Sequence, residues 1–250
     1  MSFDDWPYPR VAAHRGAGTL APENTLAAMR LGASFGFRMF EFDVKLSSDG
    51  VLVLMHDATL ERTTDGTGPV ATRTFAELAR LDAGGWHSGS YAGEPVPTFE
   101  RVAHWLLRNG HLANVEIKPC PGREAETGAA AAIEAQRLWS GATVPPILSS
   151  FSEVALEAAR RAAAGLPRAL LFDRLRSDWL QRCLALGCVA MAAEETTLSP
   201  AVVAAAHRAG LRVITYTVND PVRVDELLCW RLDTVITDAV DRIDPRTRSA

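Results

Sequence analysis

The chain has 250 residues, of which 48% are hydrophobic and 22% charged, with a formal net charge of −4; this is an ordinary globular composition with enough apolar material for a sizeable core. Its basic residues are scattered, so it carries no electrostatic footprint for a nucleic acid or an anionic membrane, and no run approaches the roughly 18 apolar residues of a membrane helix. Cys120, Cys183, Cys188 and Cys229 form no CxxC pattern, which argues against a zinc site or a disulfide framework and predicts free thiols in a reducing cytoplasm.

The opening "MSFDDWPYPRV" has no apolar run and reads as neither signal peptide nor anchor. The first strand, "VAAH" (11–14), leads into a helical pattern over 24–36 and then a second strand, "MFEFDV" (39–44). Asp49-Gly50 then sits between two apolar runs, a hairpin signal that predicts "VLVLMHD" (51–57) running back antiparallel to the second strand. Residues 57–97 form an excursion with its own capping box, Thr74 with Glu77, and hence a small helix. From there strands and helices alternate: "NVEIK", "PILSSF", "RALLF", "CVAMA", "LRVITYTV" and "DTVITD" are the strands, with helical patterns before and between them. Ser199-Pro200 and Asp220-Pro221 mark helix starts, and Gly110, Gly165, Gly187 and Gly210 mark helix ends. Eight strand–helix units predict an α/β fold, a (β/α)8 TIM barrel formed by one domain over residues 1–250 with a small insertion at 57–97 after the second strand. A doubly wound open sheet is the competing fold, but no GxGxxG follows the first strand.

The barrel places its active site at the C-terminal ends of the strands, where this chain concentrates its charge. Glu41 and Asp43 are two apart on a strand and leave the same face, while Phe42 and Val44 face the helices. Glu116 and Lys118 repeat the arrangement on the next barrel strand. Carboxylates side by side inside a barrel repel one another and need a neutralising cation. Three from neighbouring strands form an all-oxygen set suited to Mg2+ or Ca2+; a salt-bridge network with Arg15 and Lys118 is the alternative. His14 closes the first strand and His56 the hairpin, so two imidazoles reach the same mouth, suited to taking a proton from a nucleophile and giving one to a leaving group. Arg15 offers a fork for two phosphate oxygens and Lys118 a point charge, which together imply an anionic substrate and phosphoryl chemistry. "PENT" (22–25) reads as a loop and cap in which Asn24 or Thr25 starts the helix and Glu23 can face the site. Tyr216, Asn219 and Asp238 end the last strands and are expected on the rim, whereas His87, His104, His111 and His207 are expected to be structural or solvated.

The ordered set "AHRG", "PENT", "EFDVKLSSDG", "VLMHDATLERTTDGTG", "DAGGW", "VEIK", "SSF" and "ITD" resembles the motifs of the glycerophosphodiester phosphodiesterase family from about residue 11 to residue 240. The resemblance implies hydrolysis of glycerophosphodiesters, such as glycerophosphocholine or glycerophosphoethanolamine, to sn-glycerol 3-phosphate and an alcohol. Glu41, Asp43 and Glu116 would hold one divalent cation, Mg2+ or Ca2+, and Arg15 and Lys118 would neutralise the phosphate. His14 and His56 would be the general base and acid, with His56, on its separate loop, favoured as donor to the departing alcohol. Either water or the glycerol 2-hydroxyl can be the nucleophile. Where the family has Trp in a "WTVN"-like motif beside the glycerol, this chain has Tyr216, which keeps an aromatic wall but is smaller and adds a hydroxyl. The runner-up activity is phospholipase D-like action on lysophospholipids, which requires an apolar groove at the mouth. A catalytically silent scaffold would lack His14, His56 or a carboxylate, and all are present. The expected partner is a small-molecule substrate, with no nucleic acid and no stable membrane association, acting on a cytoplasmic monomer or homodimer.

Overall fold

Strand β2 (Met39–Leu46) shows why the chain folds as it does: Phe40, Phe42 and Val44 alternate with Met39, Glu41, Asp43 and Lys45, and every one of them is buried. A strand buried on both faces belongs inside a layered α/β structure. In the computed structural model, which describes residues 6–246, β2 is one wall of a closed parallel barrel; part of the predicted leaderless stretch falls outside the described residues. The barrel runs β1 (Val11–Ala13), β2, β4 (Leu112–Ile117), β5 (Ile147–Ser150), β6 (Arg168–Phe172), β7 (Ala190–Glu194), β8 (Arg212–Tyr216) and β9 (Thr234–Thr237). Closure is made by β1, which pairs in parallel with β9 through Val11↔Val235 and with β2 through Ala13↔Phe40.

Helices α1 (Leu26–Ser34), α3 (Phe99–Arg108), α4 (Glu124–Leu138), α5 (Glu153–Ala162), α6 (Trp179–Ala185), α7 (Pro200–Arg208) and α8 (Pro221–Cys229) cover the outside of the barrel. Most of the apolar core lies between the two layers, with Phe40, Phe42, Val115, Leu170, Val213 and Val235 facing the helices. The barrel interior is apolar only in its lower part, where Ala12, Met39, Ile147, Ala190 and Ile214 pack together. Thr25, Thr98, Ser152, Ser199 and Asp220 each cap the helix that follows through a side-chain oxygen, which fixes where five of the barrel loops end.

The predicted hairpin forms, with β3 (Leu52–Leu54) antiparallel to β2 through Val44↔Leu54 and Leu46↔Leu52. The limb's other edge is also taken, since Val53 bridges Thr98 and Leu54 N–H donates to Pro97 O, where the chain returns from the insertion. The segment that follows has a small core of its own, in which Leu60, Val70, Leu78 and Val96 pack on Val53 and Met55. It carries the four-residue helix α2 (Phe75–Leu78) with the capping box of Thr74 and Glu77. β7 starts two residues later than "CVAMA" suggests, because Gly187 is left-handed at φ 61° and Cys188 N–H donates back to Cys183 O, ending α6.

Candidate active site

The inward side chains of β2 and β4 become charged toward the C-terminal end of the barrel, and three carboxylates meet there. Glu41, Asp43 and Glu116 are all buried and offer oxygens that lie within 4.8 Å of one another. Registry explains the meeting, since Asp43 lies directly beside Glu116 and Glu41 one pleat below. Burial, together with the charges of Asp43 and its neighbours, pushes Glu41 up to about 8 and Glu116 up to about 7. Asp43 goes the other way despite its burial, because Arg15, His56 and Lys118 surround it and Asn24 donates to it.

Cations supply part of the neutralisation. Lys118 Nζ lies 2.6 Å from Glu116 Oε1 and 3.9 Å from Asp43 Oδ1. Arg15 Nε lies 3.4 Å from Asp43 Oδ2, and Arg15 Nη1 donates to Glu23 Oε1 at 2.8 Å. The ion-pair network considered from the sequence therefore exists, but it leaves the cluster incomplete. Three carboxylates face two permanent cations, one of which is shared with Glu23, and buried Asp43 Oδ1 accepts no hydrogen bond among the described residues. An orphaned anionic oxygen flanked by two carboxyls with raised pKa values fits a hard divalent cation, for which all-oxygen ligand sets are suited.

The two imidazoles flank this cluster, each anchored through Nδ1. His14 Nδ1 lies 2.6 Å from Asp238 Oδ1, and its Nε2 is 3.7 Å from Glu41 Oε2. Burial works against the charge of His14, but Asp238 and Glu41 outweigh it and raise its pKa. His56 Nδ1 lies 2.6 Å from Asp57 Oδ1; burial prevails over Asp43 and Asp57, and its pKa is lowered. A carboxylate on Nδ1 fixes the tautomer and leaves Nε2 for substrate. Placing His14 takes tight backbone: Arg15 and Asn24 adopt left-handed φ values of 49° and 60°, and at Gly18 a Cβ would lie 2.1 Å from Asp238 O. Only glycine lets this loop lie so close to the residue that holds His14.

Beside His56 a groove of about 690 Å³ opens between the loops after β3, β4 and β5, lined by Ala58, Thr59, Glu116, Lys118, Pro119 and Phe151 among others. Lys118 Nζ stands 4.9 Å over the Phe151 ring. Tyr216 sits across from it, edge-on to Phe151 at 6.0 Å, with its hydroxyl donating to Phe172 O at 2.7 Å. Thr25, not Asn24, caps α1, while Asn24 clasps Asp43, donating to Oδ2 at 2.8 Å and accepting from its backbone N–H at 3.0 Å. The other histidines lie elsewhere; His207 pairs with Asp233 and His111 stacks on Trp105.

Several members of the site were not legible. Lys45 continues the Glu41, Asp43 alternation on β2 and is buried, with Nζ donating to His56 O at 2.9 Å and Lys118 O at 3.1 Å, so it ties two loops of the mouth together. The period-2 pattern could have found it, had the strand been carried past Val44. Asp57 beside His56 and Asp238 behind His14 carry no sequence signal for those contacts, and Arg62 reaches the site only through the insertion's fold.

A closed eight-stranded parallel barrel with these groups gathered at the C-terminal mouth defines a TIM-barrel enzyme. Over residues 14–242 the sequence matches the glycerophosphoryl diester phosphodiesterase family, and the chain belongs to that family. It is accordingly a phosphoric diester hydrolase. It is similar to a glycerophosphodiester phosphodiesterase of Caldanaerobacter subterraneus subsp. tengcongensis, at 31% identity over 95% of this chain and 95% of that protein. Among solved structures, a phosphodiesterase from Oleispira antarctica, in complex with the product sn-glycerol-3-phosphate, aligns at a TM-score of 0.88 and 34% identity, covering 94% of this chain and 95% of that one. A glycerophosphodiester phosphodiesterase from Agrobacterium tumefaciens aligns at 0.79 and 30%, covering 94% and 98%. Among the described residues no helix is long and apolar enough to cross a membrane.

Proposed function

We propose that the chain, as one barrel domain including the 57–97 segment, hydrolyses glycerophosphodiesters to sn-glycerol 3-phosphate and an alcohol at the mouth built on β1, β2 and β4. The observation that carries this reading is the buried Glu41–Asp43–Glu116 cluster, one of whose oxygens accepts no hydrogen bond among the described residues, set between two imidazoles that each have a carboxylate on Nδ1. Glu41, Asp43 and Glu116 would hold one divalent cation, Mg2+ or Ca2+, which when bound supplies Lewis-acid charge against the phosphodiester. Arg15 and Lys118 bind the phosphate oxygens and stabilise the charge that grows on them in the transition state. His14 and His56 move the protons: one takes a proton from the nucleophile, water or the glycerol 2-hydroxyl, and the other gives one to the departing alcohol. His56 is assigned the donor role. Its place on a separate loop carries that assignment: in the free protein the lowered pKa of His56 and the raised pKa of His14 run the other way, but a phosphodiester anion beside His56 Nε2 favours its protonated form, and a cation held by Glu41 would offset part of the charge that raises His14. Tyr216 and Phe151 form an aromatic wall on the substrate side.

Small diesters such as glycerophosphocholine and glycerophosphoethanolamine fit the polar mouth. The apolar residues Ala58, Pro119, Pro121 and Phe151 in the neighbouring groove support lysophospholipids as the second reading. Free thiols at all four cysteines are consistent with a reducing cytoplasm, where we place the chain as a monomer or homodimer. The test is release of sn-glycerol 3-phosphate from each diester under EDTA, Mg2+ or Ca2+, with Glu41→Gln alongside. Release that requires a cation and vanishes in the variant is expected, and silence on every diester under every cation would overturn the reading. Turnover that rises with acyl chain length would favour the lysophospholipid reading instead.

A further inference from the structure

Arg62 stands in the insertion with its side chain 44% exposed, outside the groups assigned to the reaction. All three of its guanidinium nitrogens are nevertheless engaged. Nε and Nη2 donate to the two oxygens of Asp57 at 2.6 and 3.0 Å, and Nη1 and Nη2 donate to the two oxygens of Glu23 at 2.6 and 2.8 Å. Asp57 in turn holds His56 Nδ1 at 2.6 Å, and Glu23 holds Arg15 Nη1 at 2.8 Å. A fork engaging two carboxylates is a geometry that guanidinium provides and a lysine ammonium does not.

We propose that Arg62 is a positioning residue for phosphodiester hydrolysis: through Glu23 and Asp57 it sets the separation of Arg15 and His56 across the phosphate and couples the insertion to the site. This rests on the reading of Arg15 as phosphate ligand and His56 as proton-transfer group. The electrostatics point the same way. Glu23 acting on Arg15 alone would neutralise the cation meant for the phosphate; with Arg62 sharing that carboxylate, Arg15 keeps more of its charge for the substrate. Asp57, doubly held by Arg62, cannot swing away from His56, so the imidazole keeps its orientation when substrate enters. Solvent reaches Arg62 and screens part of the energy of these pairs, although their paired geometry and the partial burial of Glu23 keep some of it; alignment is the effect that turnover and affinity isolate.

The experiment compares wild type, Arg62→Ala and Arg62→Lys for glycerophosphocholine turnover, for binding of sn-glycerol 3-phosphate by calorimetry, and for thermal melting. Expected are a fall of roughly 10- to 100-fold in kcat/KM for Arg62→Ala, the range typical when a supporting partner of a site residue is removed, shared between kcat and KM, and a parallel loss of affinity. Melting should fall by no more than a few degrees, Arg62→Lys should recover only part of the loss, and added millimolar guanidinium should restore rate to Arg62→Ala but not raise that of wild type. Unchanged turnover and affinity would overturn the proposal, as would a loss that only tracks the unfolded fraction and that guanidinium does not relieve. A wild type that binds sn-glycerol 3-phosphate but leaves every diester intact would sink the hydrolytic reading, while the affinity comparison still decides the role of Arg62. One that neither binds nor turns over overturns both.

Discussion

Replacing Glu41 by Gln separates the two ways of reading the acidic cluster, because they predict opposite signs for stability in EDTA. Glu41 is 3% exposed, and its carboxyl is pushed up from 4.5 to about 8. The folded protein therefore holds a proton that the unfolded chain has released above about 4.5. Stability from this group is complete below that pH, is lost as the pH rises to about 8, and is flat beyond. A shift of that size corresponds to at most about 5 kcal/mol, and since Asp43 and Glu116 share the cluster's charge, about 2 kcal/mol is the effect expected of one site. At pH 8 in EDTA, Glu41→Gln removes a charge that burial and two carboxylates oppose, so the variant should melt roughly 4–8 °C above wild type. Added Mg2+ or Ca2+ should raise the melting temperature of wild type and raise that of Glu41→Gln much less. The assay is thermal unfolding from pH 5 to pH 9, with EDTA or with each cation. A wild type whose EDTA stability does not fall between pH 5 and pH 8, or a variant that melts below it at pH 8, would mean that Arg15 and Lys118 satisfy the cluster unaided, and the case for a cation site would fail.

The roles of the histidines can be told apart by the leaving group. With His56 as donor, His56→Ala should lose far more rate on glycerophosphocholine than on a p-nitrophenyl diester, whose leaving group needs no proton; if His14→Ala shows that selective recovery instead, the donor is His14. Lys45→Met strips the donor from the half-buried carbonyls of His56 and Lys118, so it should cost about 2 kcal/mol in urea unfolding and lower kcat more than it weakens substrate binding. An unchanged urea midpoint would show that those carbonyls find other partners.

The (β/α)8 plan was written in local pattern: period-2 burial in strands, capped helices between them, and Asp49-Gly50 turning the hairpin. The same periodicity put Glu41, Asp43, Glu116 and Lys118 on inner faces, because side-chain direction in a strand depends on parity alone. Chain order also showed His14, Arg15 and His56 at strand or hairpin ends, and so their arrival at one mouth. What the sequence could not decide was who holds whom once they arrive. Asp238 meets His14 from 224 residues away because β9 closes the barrel against β1, and Arg62 joins Glu23 to Asp57 because the insertion folds back over the loop after β1. Such contacts carry no periodic signal: each depends on barrel closure and loop path, which bring together residues that local spacing leaves unrelated. Local chemistry thus determined the fold and the charged groups of the mouth, and tertiary structure alone decided their partners, their protonation and their alignment.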